Sequence, residues 1–533
     1  MKLSTGLVKT AIICLILFNF IFINSGYTQS SPNEATETLA YYFDLLVSGN
    51  LETAKGLWTD PIIERSSRFG INYNDIPLKL DCSSPVVRNL PVMRDFLFKP
   101  ARQVKVLDGG NYFSMEYSAL VQGQQITHFY YAYFDGEYYW LTYPQEYYTK
   151  DWPVMETKYF RLHYHPDREA YLNPVILSEA DKFIETTAKT LALSKADLAM
   201  IEEKKIEYYY CLDDNTVEDI SGFKVKGFLD LPTNDVISSF FPHFHEISHL
   251  LINIRLRNLP LYTQPILREG FAVYLGGRWG KSVDALNYLG SFLYDQKFIE
   301  LDSITTMELF EKHATADMAY PIAGMFSAYV IDQIGIEKYL DLYRKLSGNY
   351  DSLFSMNHSD VEKIFTEALG KADWMLIREE FGNYVNKIGN INNPFKPGID
   401  KKEKVVFENN QIKVTEKDDW LSFRITGLSD SIPDGTFLFG RDDALIDAKS
   451  VLFEEQQGSN LTMDGFRFGV VFDKNEAGLY DYATNQLLGK YIYGLTPSDE
   501  YQTADNNTVS LKFNKRLTGN IIPSPEENKL YIK

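Results

Sequence analysis

Apolar and polar positions along the chain change rhythm several times, and each change predicts a different kind of element. In residues 35–60 apolar side chains fall at Leu39, Tyr42, Phe43, Leu45 and Leu46, a helical period that Gly49 and Asn50 end before a second short helical pattern. From Gln103 to Tyr148 the rhythm turns alternating, aromatic and β-branched, with Asp108-Gly109-Gly110 and Asp135-Gly136 placed where hairpins turn. Helices followed by a curved antiparallel sheet predict an α+β domain over residues 31–150. The next stretch opens with a strand (KYFRLHYHP), a helix near Leu172 to Leu191 and a strand (KKIEYYYCL), after which helical patterns dominate to Lys387. This predicts a second α+β unit over residues 152–390. Residues 391–404 (INNPFKPGIDKKEK) read as a linker, and short alternating runs such as FRFGVVFD and VSLKFNKRL predict a β-sandwich over residues 405–533. The expected fold class is therefore multidomain α+β.

The first residues follow another logic. Lys2 and Lys9 precede the apolar run Ala11 to Ile23, and small and polar residues follow from Asn24 to Ser30. This is the layout of a secretory signal peptide, assigned to residues 1–28, with cleavage between Ser25 and Ser30. A membrane anchor needs about 20 apolar residues, and this run is shorter and broken by Asn19. Ile13 before Cys14 is too bulky for a lipid-attachment signal. The expected location is extracytoplasmic, periplasmic or secreted, with no membrane span after cleavage. The net charge of −19 argues against nucleic acid or an anionic membrane as partner, and loss of Lys2 and Lys9 makes the mature chain more acidic still. Cys82 and Cys211 would remain, either as one disulfide or as two buried thiols. The helical opening that ends in SGNLETAKGLW, together with the aromatic hairpins after it, resembles the nuclear-transport-factor-2-like (SnoaL-like) cone over about residues 33–148. That resemblance implies a fold and carries no chemistry.

The chemistry concentrates in FFPHFHEISHLL, residues 240–251. His245 and His249 are four apart, so on a helix both imidazoles lie on one face and can reach one ion. Glu246 is turned about 100° from His245, beside such an ion without ligating it. Pro242 suits the first turn of that helix, Leu250, Leu251 and Ile252 supply its buried side, and His243 falls off the metal-facing side. With 8 histidines in 533 residues, chance produces the pattern on the order of 0.01 times. A third protein ligand is still required. Glu269, in PILREGFAVYLGG, opens a second helical pattern separated from His249 by 19 residues, room for a helix end, a turn and a return. Gly270 and Ala272 are small enough to let this helix approach the histidine helix. The competing reading of Glu269 is a solvated surface carboxylate.

His-Glu-x-x-His followed by Glu-Gly-x-Ala-x-Tyr resembles the gluzincin metallopeptidases, in particular the peptidase-MA-like group and, more distantly, the aminopeptidase N family. The resemblance implies that His245, His249 and Glu269 bind Zn²⁺ and that Glu246 is the general base. It also implies an oxyanion donor on a tyrosine that opens a later helix; AYPIAGMFSAYVIDQIG fits, with Tyr320 at its start, Pro321 at the first helical position and Gly335 at its end. Tyr274 and His313 are the alternatives for that role. Two departures stand out: the spacing to Glu269 is one residue longer than is usual in aminopeptidase N, and no Gly-x-Met-x-Asn segment precedes the motif.

Other signals carry less. GGRWGKS, residues 276–282, has the wrong spacing for a phosphate loop and reads as the end of a helix. His163 and His165 alternate on a strand without a third ligand. KGFLDLPTNDVISS, residues 226–239, suits a hairpin whose edge pairs with an extended substrate. The expected function is an exported zinc metallopeptidase acting on a peptide or protein substrate through an activated water, with Glu246 as base. The alternatives are a catalytically silent zinc-containing envelope protein that binds through its flanking domains, and hydrolysis of a non-peptide bond at the same zinc.

Overall fold

Gly49 ends the first helix in the left-handed conformation, φ 77°, that a Cβ would penalise, so the chain reverses where the apolar period stops. In the computed structural model that helix, α1 (Pro32–Ser48), buries Leu39, Tyr42, Phe43 and Leu46. The structure describes residues 31–90, 103–107, 110–121, 124–278, 280–314, 318–392, 403–417, 420–427, 435–441, 465–473, 476–483, 486–492, 503–504, 508–518, 522–524 and 528–532. The expected signal peptide, and residues 393–402 of the expected linker, lie outside them. The described chain is mixed α and β with several separate sheets and divides into two compact units. No described helix is long and apolar enough to cross a membrane.

Of the described residues, one unit holds those in 31–66 and 77–150. Strands β1 (Gln103–Leu107), β2 (Tyr112–Val121), β3 (Gln124–Phe134) and β4 (Tyr139–Thr142) pair as an antiparallel meander. The β3–β4 turn forms at the expected Asp135-Gly136: Asp135 Oδ1 accepts the N–H groups of Glu137 and Tyr138, and Gly136 takes φ 106°. Phe43 of α1 packs its ring against Tyr117 and Tyr130 of the sheet.

The other unit holds residues 67–76 and 151–533. Residues 67–76, inside the span assigned above to the first domain, fold with this unit because Arg68 is buried there against Asp235 (2.6 Å) and Glu207 (3.6 Å). Asn72 and Tyr73 also pair in parallel with Asn258 and Leu259. The main sheet contains β5 (Val154–Glu156), β6 (Phe160–Tyr164), β7 (Ile206–Tyr210), β8 (Gly227–Asp230) and β9 (Asp235–Ser238), in the order β5-β6-β7-β9-β8. All five residues of β7 are buried, as a central strand demands. β8 runs antiparallel to β9 and is an edge.

Helix α2 (Pro174–Thr190) lies between β6 and β7 in sequence, and helices follow the sheet: α3 (Phe244–Leu256), α4 (Pro265–Gly276), α5 (Val283–Asp295), α6 (Ala319–Lys345) and α7 (Trp374–Asn392). Pro242 precedes the His243 cap of α3, outside the first turn expected for it. α6 carries Gly335 at φ 78°, a break between two helical stretches, so the expected helix end is an interruption. α7 runs to Asn392, into the stretch read as linker.

Beyond Lys404 two five-stranded sheets face each other across one apolar core. Val414, Leu421, Phe423 and Phe513 come from one sheet, and Phe437, Phe439, Phe468 and Val470 from the other. The alternation that predicted strands here is the alternation of core-facing and outward side chains. Cys82 and Cys211 are buried thiols, not joined in a disulfide.

Candidate metal centre

The histidine helix starts from a fixed point. His243 caps α3 through Nδ1, which accepts the Glu246 N–H (3.4 Å), and its own N–H donates to the Tyr208 hydroxyl of β7 (3.1 Å). The His243 ring stacks on Phe240 at 4.3 Å. Ile247, Leu250, Leu251 and Ile254, all without exposure, hold the opposite side in the core. That leaves His245 and His249 on one face, their rings 4.8 Å apart and nearly perpendicular.

Glu269 sits in the second turn of α4, which begins at Pro265 and not at Glu269 as its pattern suggested. The close approaches of α4 also differ from expectation. A Cβ on Gly270 would lie 2.4 Å from the Ala323 carbonyl of α6, so Gly270 faces that helix; the contact with the histidine helix is made at Gly276, where a Cβ would meet the Phe244 carbonyl at 2.4 Å. The reason is angular: with Glu269 turned toward the histidines, its neighbour points about 100° away.

Nε2 of His245 lies 3.1 Å from Glu269 Oε2, and Nε2 of His249 lies 3.5 Å from the same oxygen. One ligand atom from each residue falls within 4.8 Å of the others, and this is the one such group of three among the described residues. His245 Nδ1–H donates to the Gly277 carbonyl at 2.9 Å, which fixes that ring's tautomer and aims Nε2 at the carboxylate. Burial lowers the His245 pKa, against the pull of the Glu269 and Glu246 carboxylates. Nε2 and Oε2 in such contact share a positive charge between them, either a proton on the ring or a metal ion. Two imidazole nitrogens and a carboxylate are the donor set and number that a zinc ion with an open position takes, so the residues fit this metal.

The electrostatics support each group in its ligand or base form. Burial opposes ionisation of Glu269, yet the Arg268 guanidinium and the two histidines hold its pKa well below the usual carboxylate range. Arg268 Nε donates to Glu269 Oε1 at 2.8 Å, leaving Oε2 for the imidazoles. Removal from water raises the Glu246 pKa, with His245 acting against it and Glu269 with it. Tyr320 reaches the centre from the first turn of α6, its ring 6.4 Å from that of His245. Its hydroxyl is pushed up to about 12, by burial first and then by Glu269, and stays protonated. Pro321 follows it at the third helical position and not the first.

His245, Glu246, His249, Glu269 and Tyr320 all line one cavity of about 540 Å³, which β8 borders through Gly227, Phe228 and Leu229. Tyr274 stacks on Phe271 and does not line it; His313, near the end of the helix Met307–Ala314, does not either. His163 is engaged elsewhere, with Nε2 2.7 Å from Glu207 Oε2, and His165 caps a short helical turn.

Three residues escaped the sequence reading. Arg268 was hidden because neighbours on a helix rarely share a face. Arg278 lies in the segment dismissed as a helix end, and Tyr343 is distant in sequence; both border the cavity. A basic residue next to the proposed third ligand was the one available signal. No protein-family model matches this chain, and no curated protein sequence matches it.

Proposed function

We propose that this chain is an exported zinc metallopeptidase of gluzincin type. Its catalytic unit would be residues 152–390 together with the 67–76 segment, flanked by a nuclear-transport-factor-2-like domain and a C-terminal β-sandwich. The observation that carries the reading is the convergence of His245 Nε2 and His249 Nε2 on Glu269 Oε2, one ligand atom from each residue within 4.8 Å of the others.

His245, His249 and Glu269 would hold the ion. Zinc bound there supplies a Lewis acid that acidifies water and polarises a carbonyl. Glu246, its pKa raised by burial, would take the proton of the attacking water and return it to the leaving amine. Tyr320, kept protonated, donates to the oxyanion. An extended peptide would add as a strand along β8, the last strand of its sheet, which borders the cavity.

The test is zinc content of the purified chain beside peptide cleavage. About one zinc per chain is expected, lost in His249→Ala and Glu269→Ala. Glu246→Gln should keep zinc and lose about a hundredfold or more in cleavage rate. Zinc bound without Glu246-dependent cleavage of any peptide would instead support the silent binding protein, and absence of zinc after supplementation would end both readings.

A further inference from the structure

We propose that the substrate carries a carboxylate close to the bond that is cut, and that Arg278 holds it; this rests on the peptidase reading above. Arg278 is delivered by the loop between α4 and α5. Gly277 turns the chain at φ 69°, and Arg278 and Lys281 exchange both backbone hydrogen bonds, at 3.1 and 2.9 Å. This closed turn sends the side chain into the cavity, where its Cζ lies 3.2 Å above the centre of the Tyr320 ring. The guanidinium thus lies against the residue assigned to the oxyanion, in the cavity that Glu246 also lines.

The charge of the cavity runs against that of the molecule. The chain carries −19, yet the cavity is bordered by Lys224, Lys226, Arg268 and Arg278 against Asp214, Glu246 and Glu269. Arg268 is committed to Glu269, Lys226 lies 3.8 Å from Asp214, and a zinc ion adds two positive charges. The charged lining, with one positive charge in excess in a strongly acidic protein, favours an anionic substrate group over a cationic one. A planar guanidinium stacked on an aromatic ring presents its N–H edge to a planar acceptor, the geometry that suits a carboxylate. An arginine placed only to support Tyr320 would affect all substrates alike, and this separates the two roles.

The experiment uses the zinc-loaded full chain and matched peptides in four forms: a free or amidated C-terminus, and Glu or Gln at the residue beside the scissile bond. Cleavage rates are read for the wild type, Arg278→Met and Arg278→Lys, each with its zinc content. Binding of the same peptides is read by calorimetry on Glu246→Gln and Glu246→Gln/Arg278→Met. A preference of about tenfold or more for one carboxylate form over its amide is expected, in kcat/KM and in Kd. It should fall to within about twofold in Arg278→Met and be partly kept in Arg278→Lys. The form preferred says whether the carboxylate is the chain terminus or a side chain. Equal rates and equal Kd for carboxylate and amide in the wild-type background, or a preference that survives Arg278→Met, overturn the proposal. If no peptide is cleaved in a Glu246-dependent way, the peptidase reading falls, and the calorimetric ratio still decides whether this cavity selects a carboxylate.

Discussion

Asp81 shows how one buried group sets a pH dependence. Its carboxylate accepts from the Tyr42 and Tyr130 hydroxyls, at 2.9 and 3.0 Å, with almost no exposure. Burial pushes its pKa up to about 7, against the two tyrosine hydrogen bonds and Arg88, from 3.8 for a free side chain. The folded state therefore holds a proton that the unfolded chain releases. The stabilisation is complete below about pH 4 and is lost as pH rises through about 7, a change on the order of a few kcal/mol. Asp81→Asn, which mimics the protonated form, should match the wild type below about pH 4 and exceed it in stability by a margin that grows up to about pH 7, by denaturant unfolding of the full chain. The same shift of the midpoint at both ends of this range would disprove this account. At the proposed metal centre, Tyr320→Phe should lower kcat by about a hundredfold with little change in KM, because the proposal assigns its hydroxyl to the oxyanion alone. A proportional rise in KM would make Tyr320 a binding residue. The histidines and Glu246 were legible from their spacing, since a helix turns every i, i+4 pair to one side. Arg278 was not, because no local period tells where a loop side chain points.

Helix packing decides whether the third ligand reaches the other two. α4 approaches α6 at Gly270 and Gly324 and the start of α3 at Gly276, positions where a Cβ would collide with backbone or a packed valine. Gly270→Ala should cost roughly 1–3 kcal/mol, as the helices must separate. It should also weaken zinc binding by shifting Glu269, measured by competition with a chelator of known affinity; unchanged stability and affinity would show that the approach is not tight. β8 makes the complementary case for strands. Its edge borders the cavity, and Gly227 packs against His243 so closely that a Cβ would fall 2.1 Å from the ring. Methylating one substrate backbone nitrogen that faces β8 should weaken binding to Glu246→Gln by about tenfold. Equal affinity for every single methylation would place the peptide elsewhere. The extent of these elements was largely readable, as periodicity and punctuation by glycine and proline are local properties. The face each small residue turns to was not: Gly270 was expected against the histidine helix and lies against α6.

Across the second unit, the C-terminal sheets are joined to the helical part by side chains from both. Tyr288 of α5 packs on the core between the two sheets, and Arg467 is paired with Glu179 of α2 as well as Asp481. A chain ending before Lys404 should keep about one zinc but melt several degrees lower, because Tyr288 loses its apolar cover and Glu179 its partner. Loss of zinc in a truncated chain that remains folded by circular dichroism would show that the sheets shape the centre itself. The sequence by itself determined the order of α and β regions, the helix that carries both histidines and its glutamate, and the acidic character of the chain. Each follows from residues a few positions apart or from a sum over all of them. Only the tertiary structure decided that residues 67–76 fold with the second unit, that Glu269 meets the histidines with Arg268 behind it, and that Arg278 enters the same cavity. These depend on contacts between segments distant along the chain, which sequence spacing does not encode and three-dimensional packing does.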